Sequence, residues 1–239
     1  MKSEKTYHQD SISHADEGKP KNLFSILGVA FDITLDFLFP KPSELARLER
    51  MGSEEFLAQV PKSDLRSGNL HTVFAYRHPL VRTAIWELKY WHNENIAQML
   101  ALQLHEYLID TLAEEALFKN FVSPCIVPIP SSKSRLRERG YNQCEFLADM
   151  LKQIDNGKNF EVALALKKIK ETKPQTEIRQ KEKRRQNVRG CFVADPAVVS
   201  GRNIIVLDDV ITTGSTVREA CRAFREAGAE KIIGVALAH

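Results

Sequence analysis

"NIIVLDDVITTGSTVREACRAFREAG", residues 203–228, is the stretch whose reading decides the fold. Residues 204–207 form a continuous run of branched apolar side chains, the pattern of a strand buried on both faces. The run halts at two adjacent carboxylates, Asp208 and Asp209, and a turn of threonine, glycine and serine follows over 211–216. Val217, Ala220, Cys221, Phe224 and Ala227 then recur at three- and four-residue steps, which predicts a helix ended by Gly228. "KIIGVALA", 231–238, is a second buried-strand run. Strand, helix and strand in succession describe one unit of a parallel sheet.

Earlier segments continue the alternation. "CIVPIP" (125–130) reads as a strand bounded by prolines, and "QCEFLADMLKQI" (143–154) as a helix through Phe146, Leu147, Met150, Leu151 and Ile154. "EVALALKKI" (161–169) and "CFVA" (191–194) are further strand candidates. Residues 123–239 are therefore expected to form an α/β domain, an open, mainly parallel twisted sheet flanked by helices. Residues 21–122 read as a helical N-terminal region packing on that core. Ser43 and Ser53 are candidate N-caps. Residues 80–90 suit a helix with Val81, Ile85 and Leu88 inward and Arg82 and Lys89 outward. From Asn95 a long amphipathic helix runs through Ile96, Met99, Leu104 and Leu108. The polar residues 1–20 are expected to be a disordered tail.

Composition narrows the classes of function. The 239 residues are 43% hydrophobic and 27% charged, enough for one main domain with an appendage. "LFSILGVAFDITLDFLF" (23–39) is broken by Asp32 and Asp36, too short and charged to span a bilayer, so no membrane partner is expected. Four scattered cysteines form no Cys-x-x-Cys pair, and His71, His78 and His92 stand isolated, so no structural zinc is expected. The cysteine usage and polar start suit the cytoplasm. Net charge is +3, yet residues 167–189 hold ten Lys and Arg against three Glu. Such a segment suits an anionic partner or a solvated basic loop.

In open α/β sheets ligands bind beyond the carboxyl ends of the strands, where the stretch 208–216 falls. Backbone amides of Thr212, Thr213, Gly214, Ser215 and Thr216, with the helix N-terminus behind them, can receive a phosphate. Asp208 and Asp209, acceptors when ionised, can take the vicinal hydroxyls of a sugar. A phosphorylated ribose satisfies both halves. A nucleotide-binding P-loop is excluded, because no Gly-x-x-x-x-Gly-Lys-Ser/Thr occurs. Two basic segments can add cations. "SSKSRLRERGYNQ" (131–143) supplies Lys133, Arg135, Arg137, Arg139 and Gly140 after a strand, and the 167–189 segment can form a mobile flap.

"VLDDVITTGST", 206–216, resembles the phosphoribosyl pyrophosphate (PRPP) binding motif of type I phosphoribosyltransferases. The resemblance implies ribose hydroxyls on Asp208 and Asp209 and the 5′-phosphate on residues 212–216. With "VPIPSSKSRLRERGYNQCEFLA", "TKPQ", "RRQNVRGCF" and the earlier "FAYRHPLVRTAIWELKYWHNENIAQMLA", the chain is similar to ComF-type phosphoribosyltransferase-like proteins. Positions that match that pattern include Lys89, Tyr90, Arg139 to Gln143 and Phe192, and in the flexible loop Gln175, Arg184 and Asn187. The family's N-terminal zinc module has no counterpart here, since no cysteine precedes Cys125.

The resemblance implies PRPP carrying Mg²⁺, pyrophosphate near Lys133, Arg135, Arg137, Arg139 and Gly140, and phosphoribosyl transfer to an unknown acceptor, a nucleobase or an amine. No general base is named. The alternative it implies is a non-catalytic module that binds PRPP or handles single-stranded DNA alongside DNA-uptake proteins in natural transformation. Residues 167–189 hold no aromatic residue, which argues against base stacking there.

Overall fold

The computed structural model describes residues 42–63, 66–171 and 188–239. All fall within one compact unit, Phe39–His239. The expectations for residues 1–20 and 23–39, and for Gln175, Arg184 and Asn187, lie outside the described residues. The elements run α1 (Pro42–Arg50), α2 (Ser53–Gln59), β1 (Arg66–Ser67), β2 (Leu70–Phe74), α3 (Pro79–Tyr90) and α4 (Glu94–Lys119). After these come β3 (Cys125–Pro128), α5 (Lys133–Arg139), α6 (Gln143–Asp155), β4 (Glu161–Val162) and β5 (Leu166–Lys168). The last are β6 (Phe192–Ala194), α7 (Pro196–Val199), β7 (Ile204–Val210), α8 (Ser215–Glu226) and β8 (Ile232–Ala238).

Six strands form the main sheet in the order β1-β2-β8-β7-β3-β4. Its five strands from β2 to β4 are parallel, and only β1 runs antiparallel, to β2. From β3 the chain passes through α5 and α6 to β4 on one side, while from β7 it passes through α8 to β8 on the other. The neighbours β3 and β7 therefore send their connections in opposite directions. A crevice outside their carboxyl ends is the place such a sheet offers a ligand.

Strand alternation sorts the core into two layers. Ile205 and Leu207 of β7 join Val235 and Leu237 of β8 in a core shared with α3, α4 and α6. Ile204 and Val206 face the other way, toward Val217, Ala220 and Phe224 of α8 and toward Leu166 and Phe192 of the β5–β6 pair. On that side α8 lies so close to the sheet that a Cβ on Gly234 would sit 2.4 Å from Val217 Cγ1 and 2.8 Å from Leu70 Cδ2. α4 begins with the Asn93 side chain accepting from the Ile96 amide. It ends at Asn120, whose positive φ of 50° is tolerated by asparagine better than by most residues.

Four details differ from the sequence reading. Residues 66–74 are not helical: β2 is a strand of the main sheet, paired with β8 from Leu70↔Gly234 to Phe74↔Ala238. "EVALALKKI" is two strands in two sheets, β4 beside β3 and β5 beside β6, because the chain leaves the main sheet between Val162 and Leu166. Ser43 lies inside α1, which starts at Pro42, where a missing N–H costs nothing, and the N-cap of α2 is Gly52 rather than Ser53. Lys89 points inward, since α3 is buried around much of its circumference and its last turn faces the end of β7.

Candidate functional site

β7 continues past its apolar run to include both carboxylates. Asp209 has the parity of Ile205 and Leu207, so its side chain faces the layer of α3 and α6. There Asp209 Oδ2 accepts from Lys89 Nζ at 3.1 Å and from Gln143 Nε2 at 3.0 Å. Its Oδ1 accepts from the Val210 amide at 2.7 Å. Asp208 Oδ1 accepts from the Asp209 amide at 2.9 Å, with Cys144 Sγ at 3.8 Å.

Two adjacent carboxylates out of bulk water cannot titrate alike. Burial and the neighbouring Asp209 charge push the Asp208 carboxyl up to about 7. For Asp209 burial acts in the same upward sense, but the Lys89 ammonium, then Arg139 and Arg135, outweigh it and hold the carboxyl below its ordinary value. Burial depresses Lys89, and Asp209 more than offsets this, so the lysine stays firmly charged. Burial and the two carboxylates hold the Cys144 thiol neutral, its pKa raised well above the ordinary thiol value.

The turn after the pair is anchored at its start. The Ile211 amide donates to Ala238 O at 2.9 Å, and His239 Nδ1 lies 2.7 Å from Ile211 O. Gly214 adopts φ 67°, the left-handed conformation that leads directly into α8. Thr213 and Ser215 share a hydroxyl contact of 2.8 Å. Among the described residues the amides of Thr212, Thr213 and Gly214 donate no hydrogen bond, so they are available to an anion at the positive end of a twelve-residue helix. Arg218 folds back from α8 and donates to Thr213 O, a cation at the turn that sequence reasoning did not single out.

The basic segment after β3 is a short helix rather than an open loop, with Ser132 capping the Arg135 amide and Gly140 closing it at φ 81°. Its residues divide. Arg139 Nη1 donates to Gln143 Oε1 at 3.0 Å, and its guanidinium lies 4.7 Å from the Tyr90 ring centroid. Arg135 stands near enough to act on Asp209 electrostatically. Lys133 and Arg137 are exposed, and neither makes a described side-chain contact with the acid pair. From the β5–β6 pair, Lys168 is lowered by burial and feels the charges of Arg135 and Asp208, which brings one more cation to this edge.

The structure thus brings Asp208, Asp209, residues 211–216 and Arg139 to one sheet edge, together with Lys89, Gln143 and Cys144. Lys89 and Gln143 were noted only as pattern positions, without a role. Cys144 gave no signal at all. A cavity of about 410 Å³ lies elsewhere, lined by Leu48, Met51 and Ile96 among others, and touches none of these groups.

Cys144, Asp208 and Asp209 present ligand atoms within 4.8 Å of one another. They do not make a cage for a hard cation: both Asp209 oxygens are taken by donors, and a neutral thiol is a poor partner for Mg²⁺.

Residues 139–239 match the family model described as phosphoribosyl transferase domain, so this part of the chain is a domain of that class, with the type I parallel sheet. The chain is 28% identical over 158 residues to Competence protein F of Haemophilus influenzae, covering 64% of this chain and 63% of that one. It is 35% identical over 111 residues to Competence protein ComFC of Bacillus subtilis, covering 46% and 40%. To the DNA utilization protein YhgH of Escherichia coli K12 it is 28% identical over 163 residues, covering 68% of each chain. By these matches the chain is similar to competence and DNA-utilization proteins of the ComF type.

The chain spans less than two thirds of the Haemophilus and Bacillus proteins. Among solved structures, a glutamine PRPP amidotransferase from B. subtilis is 19% identical, covering 63% of this chain and 30% of that one, at a TM-score of 0.36. Among the described residues no helix is long and apolar enough to cross a membrane.

Proposed function

We propose that the chain binds PRPP accompanied by Mg²⁺ in a cytoplasmic setting and transfers its phosphoribosyl group to an acceptor. The observation that carries this reading is the continuity of β7 with its turn: carboxylate acceptors and three amides that donate no hydrogen bond among the described residues stand close together at the switch point of a parallel sheet. The sugar hydroxyls meet Asp208, the 5′-phosphate meets the amides of 212–214 and the N-terminus of α8, and Arg135 and Arg139 stand toward the pyrophosphate.

In the transfer, the acceptor's lone pair forms the new bond to C1′ while the C1′–O bond breaks and its electrons leave with pyrophosphate; the acceptor then gives up its proton. Bound together with PRPP, Mg²⁺ would supply charge neutralisation to the leaving group, beside the guanidinium groups of Arg135 and Arg139. Incubation with PRPP, Mg²⁺ and a panel of nucleobases and amines, followed by pyrophosphate release, tests the transfer. Release that depends on one acceptor supports it. Absence of release with every acceptor, despite PRPP binding, reduces the chain to a PRPP-binding module.

A second reading rests on a separate observation. Trp86, Tyr90 and Trp91 lie together at the end of α3, with ring centroids 5.3 and 6.0 Å apart, Trp91 is 64% exposed, and Arg139 covers Tyr90. Exposed aromatics beside cations suit stacking on single-stranded nucleic acid, and the relatives named above carry competence and DNA-utilization names. Salt-sensitive binding of a single-stranded oligonucleotide that is lost in Trp91→Ala supports this reading, and binding unchanged in that variant counts against it.

A further inference from the structure

The two carboxylates at the end of β7 are unequal, and the cause lies outside the strand and turn that carry them. Both Asp209 oxygens are occupied, Oδ2 by Lys89 at 3.1 Å and Gln143 at 3.0 Å, and Oδ1 by the Val210 amide at 2.7 Å. The hydrogen bonds of Asp208 fall on Oδ1, and among the described residues Oδ2 has no donor. Gln143 cannot turn its amide over without loss, because its Oε1 accepts from Arg139 Nη1 at 3.0 Å and from Ser131 Oγ at 3.4 Å. That orientation commits its NH₂ to Asp209.

We propose that Lys89 is a positioning residue that divides the labour of the acid pair: it holds Asp209 as a fixed, inward-facing anion and leaves Asp208 Oδ2 as the carboxylate oxygen open to a ligand's vicinal hydroxyls. The proposal rests on reading the site as one for a phosphorylated ribose, and it assigns to one carboxylate the hydroxyl-binding role first expected of two.

Three features make Lys89 the dividing group. It is the one cation among the described residues in direct contact with Asp209, and its side chain is only 20% exposed. It sits in the last turn of α3, where the helix dipole favours a cation. The other titratable groups facing the pair are Tyr76 after β2, Arg135 and Arg139 on α5, Cys144 on α6 and Lys168 on β5; burial raises the Tyr76 phenol and the Cys144 thiol, so both are neutral, the arginines act on Asp209 without touching it, and Lys168 acts on Asp208. Without Lys89, two adjacent carboxylates would share a proton to higher pH, and only Gln143 and the Val210 amide would hold Asp209 inward.

The test uses the full chain as wild type, Lys89→Met and Lys89→Arg. Each is titrated with PRPP and Mg²⁺ from about pH 6 to about pH 9, and each ligand-free protein is followed by NMR with ¹³C-labelled aspartate carboxyls. Lys89→Met is expected to bind about tenfold or more weakly near neutral pH, as loss of a charge-assisted contact implies. Its affinity midpoint and the Asp209 carbon titration, assigned through Asp209→Asn, both move to higher pH, and Lys89→Arg restores most of each. Lys89→Met with lowered thermal stability but unmoved affinity and unmoved midpoints overturns the proposal. If wild type binds no PRPP, the ribose-phosphate reading falls and the NMR arm decides: an Asp209 titration raised in Lys89→Met upholds the division, and an unmoved one overturns it. Lys89→Gln, which keeps a donor without the charge, takes the place of the methionine variant should that fail to fold.

Discussion

Asp208→Asn should stabilise the ligand-free protein at alkaline pH. In the folded chain the Asp208 carboxyl is raised to about 7, by burial first and the Asp209 charge second, against an ordinary value of 3.8. A raised acid binds more protons folded than unfolded, so its contribution to stability is complete below the unfolded pKa. It is lost as pH climbs from about 4 through about 7. Above that range the native state carries two adjacent, partly desolvated carboxylates with one lysine between them. An isosteric asparagine removes that cost, leaving a gain on the order of 2 kcal/mol at about pH 8, or roughly 4–8 °C in Tm for a chain of this size.

Below about pH 4, where Asp208 is protonated in the folded and unfolded chain alike, the variant and wild type should melt together. Asp209→Asn should behave in the opposite sense, because it leaves Lys89 without its counter-charge at every pH in this range. Scanning calorimetry of the three proteins at the two pH values decides the matter. An Asp208→Asn variant no more stable than wild type at pH 8, or one whose gain is the same at both pH values, would refute the reasoning.

Other substitutions probe the frame that positions the site. Gly234→Val should lower stability by about 2–3 kcal/mol, because its Cβ would meet Val217 and Leu70 inside van der Waals contact; urea unfolding checks it. Gly214→Ala, at φ 67° with Arg218 Nη1 3.1 Å and Leu70 Cδ1 3.2 Å from the new Cβ, should cost about 1–2 kcal/mol and weaken PRPP binding, both visible in a thermal-shift titration. Burial raises the Asp155 carboxyl, but hydrogen bonds from Asn159, His105 and the Phe160 amide outweigh it and hold it low. Its stabilisation is therefore present above about pH 4 and lost as pH falls through its folded value. Asp155→Asn should then be destabilised at neutral pH, with the gap to wild type closing in acid melts.

The parts of this fold most legible in the sequence are those governed by local periodicity. β7, α8, β8, α4 and α6 each carry an uninterrupted strand or helix pattern, and each forms where that pattern lies. β2 escaped because "LHTVF" is short, mixed and buried on successive residues, a pattern that tertiary pairing with β8 completes but that five residues cannot announce. The 161–169 run misled because its two halves share one composition while pairing with different partners.

In the site, Asp208, Asp209 and the turn were readable because neighbours in sequence remain neighbours in space. Lys89 was read as outward, since its helix shows an apolar face and a basic residue is ordinarily assigned to the other one. Only the meeting of α3 with the end of β7, 120 residues on, reveals its partner. Gln143 and Cys144 stand at the start of α6 for a similar reason, placed there by the switch point rather than by any motif of their own.

The central claim is that Asp208 and the turn beyond it hold a phosphorylated ribose. Calorimetric titration of the full chain with PRPP and Mg²⁺, in wild type and Asp208→Asn side by side, tests it most directly. Saturable binding is expected of the wild type, with affinity lower by about tenfold or more in the variant, as loss of a charged hydrogen-bond acceptor requires. No binding by the wild type, or equal affinity in the two proteins, would contradict it.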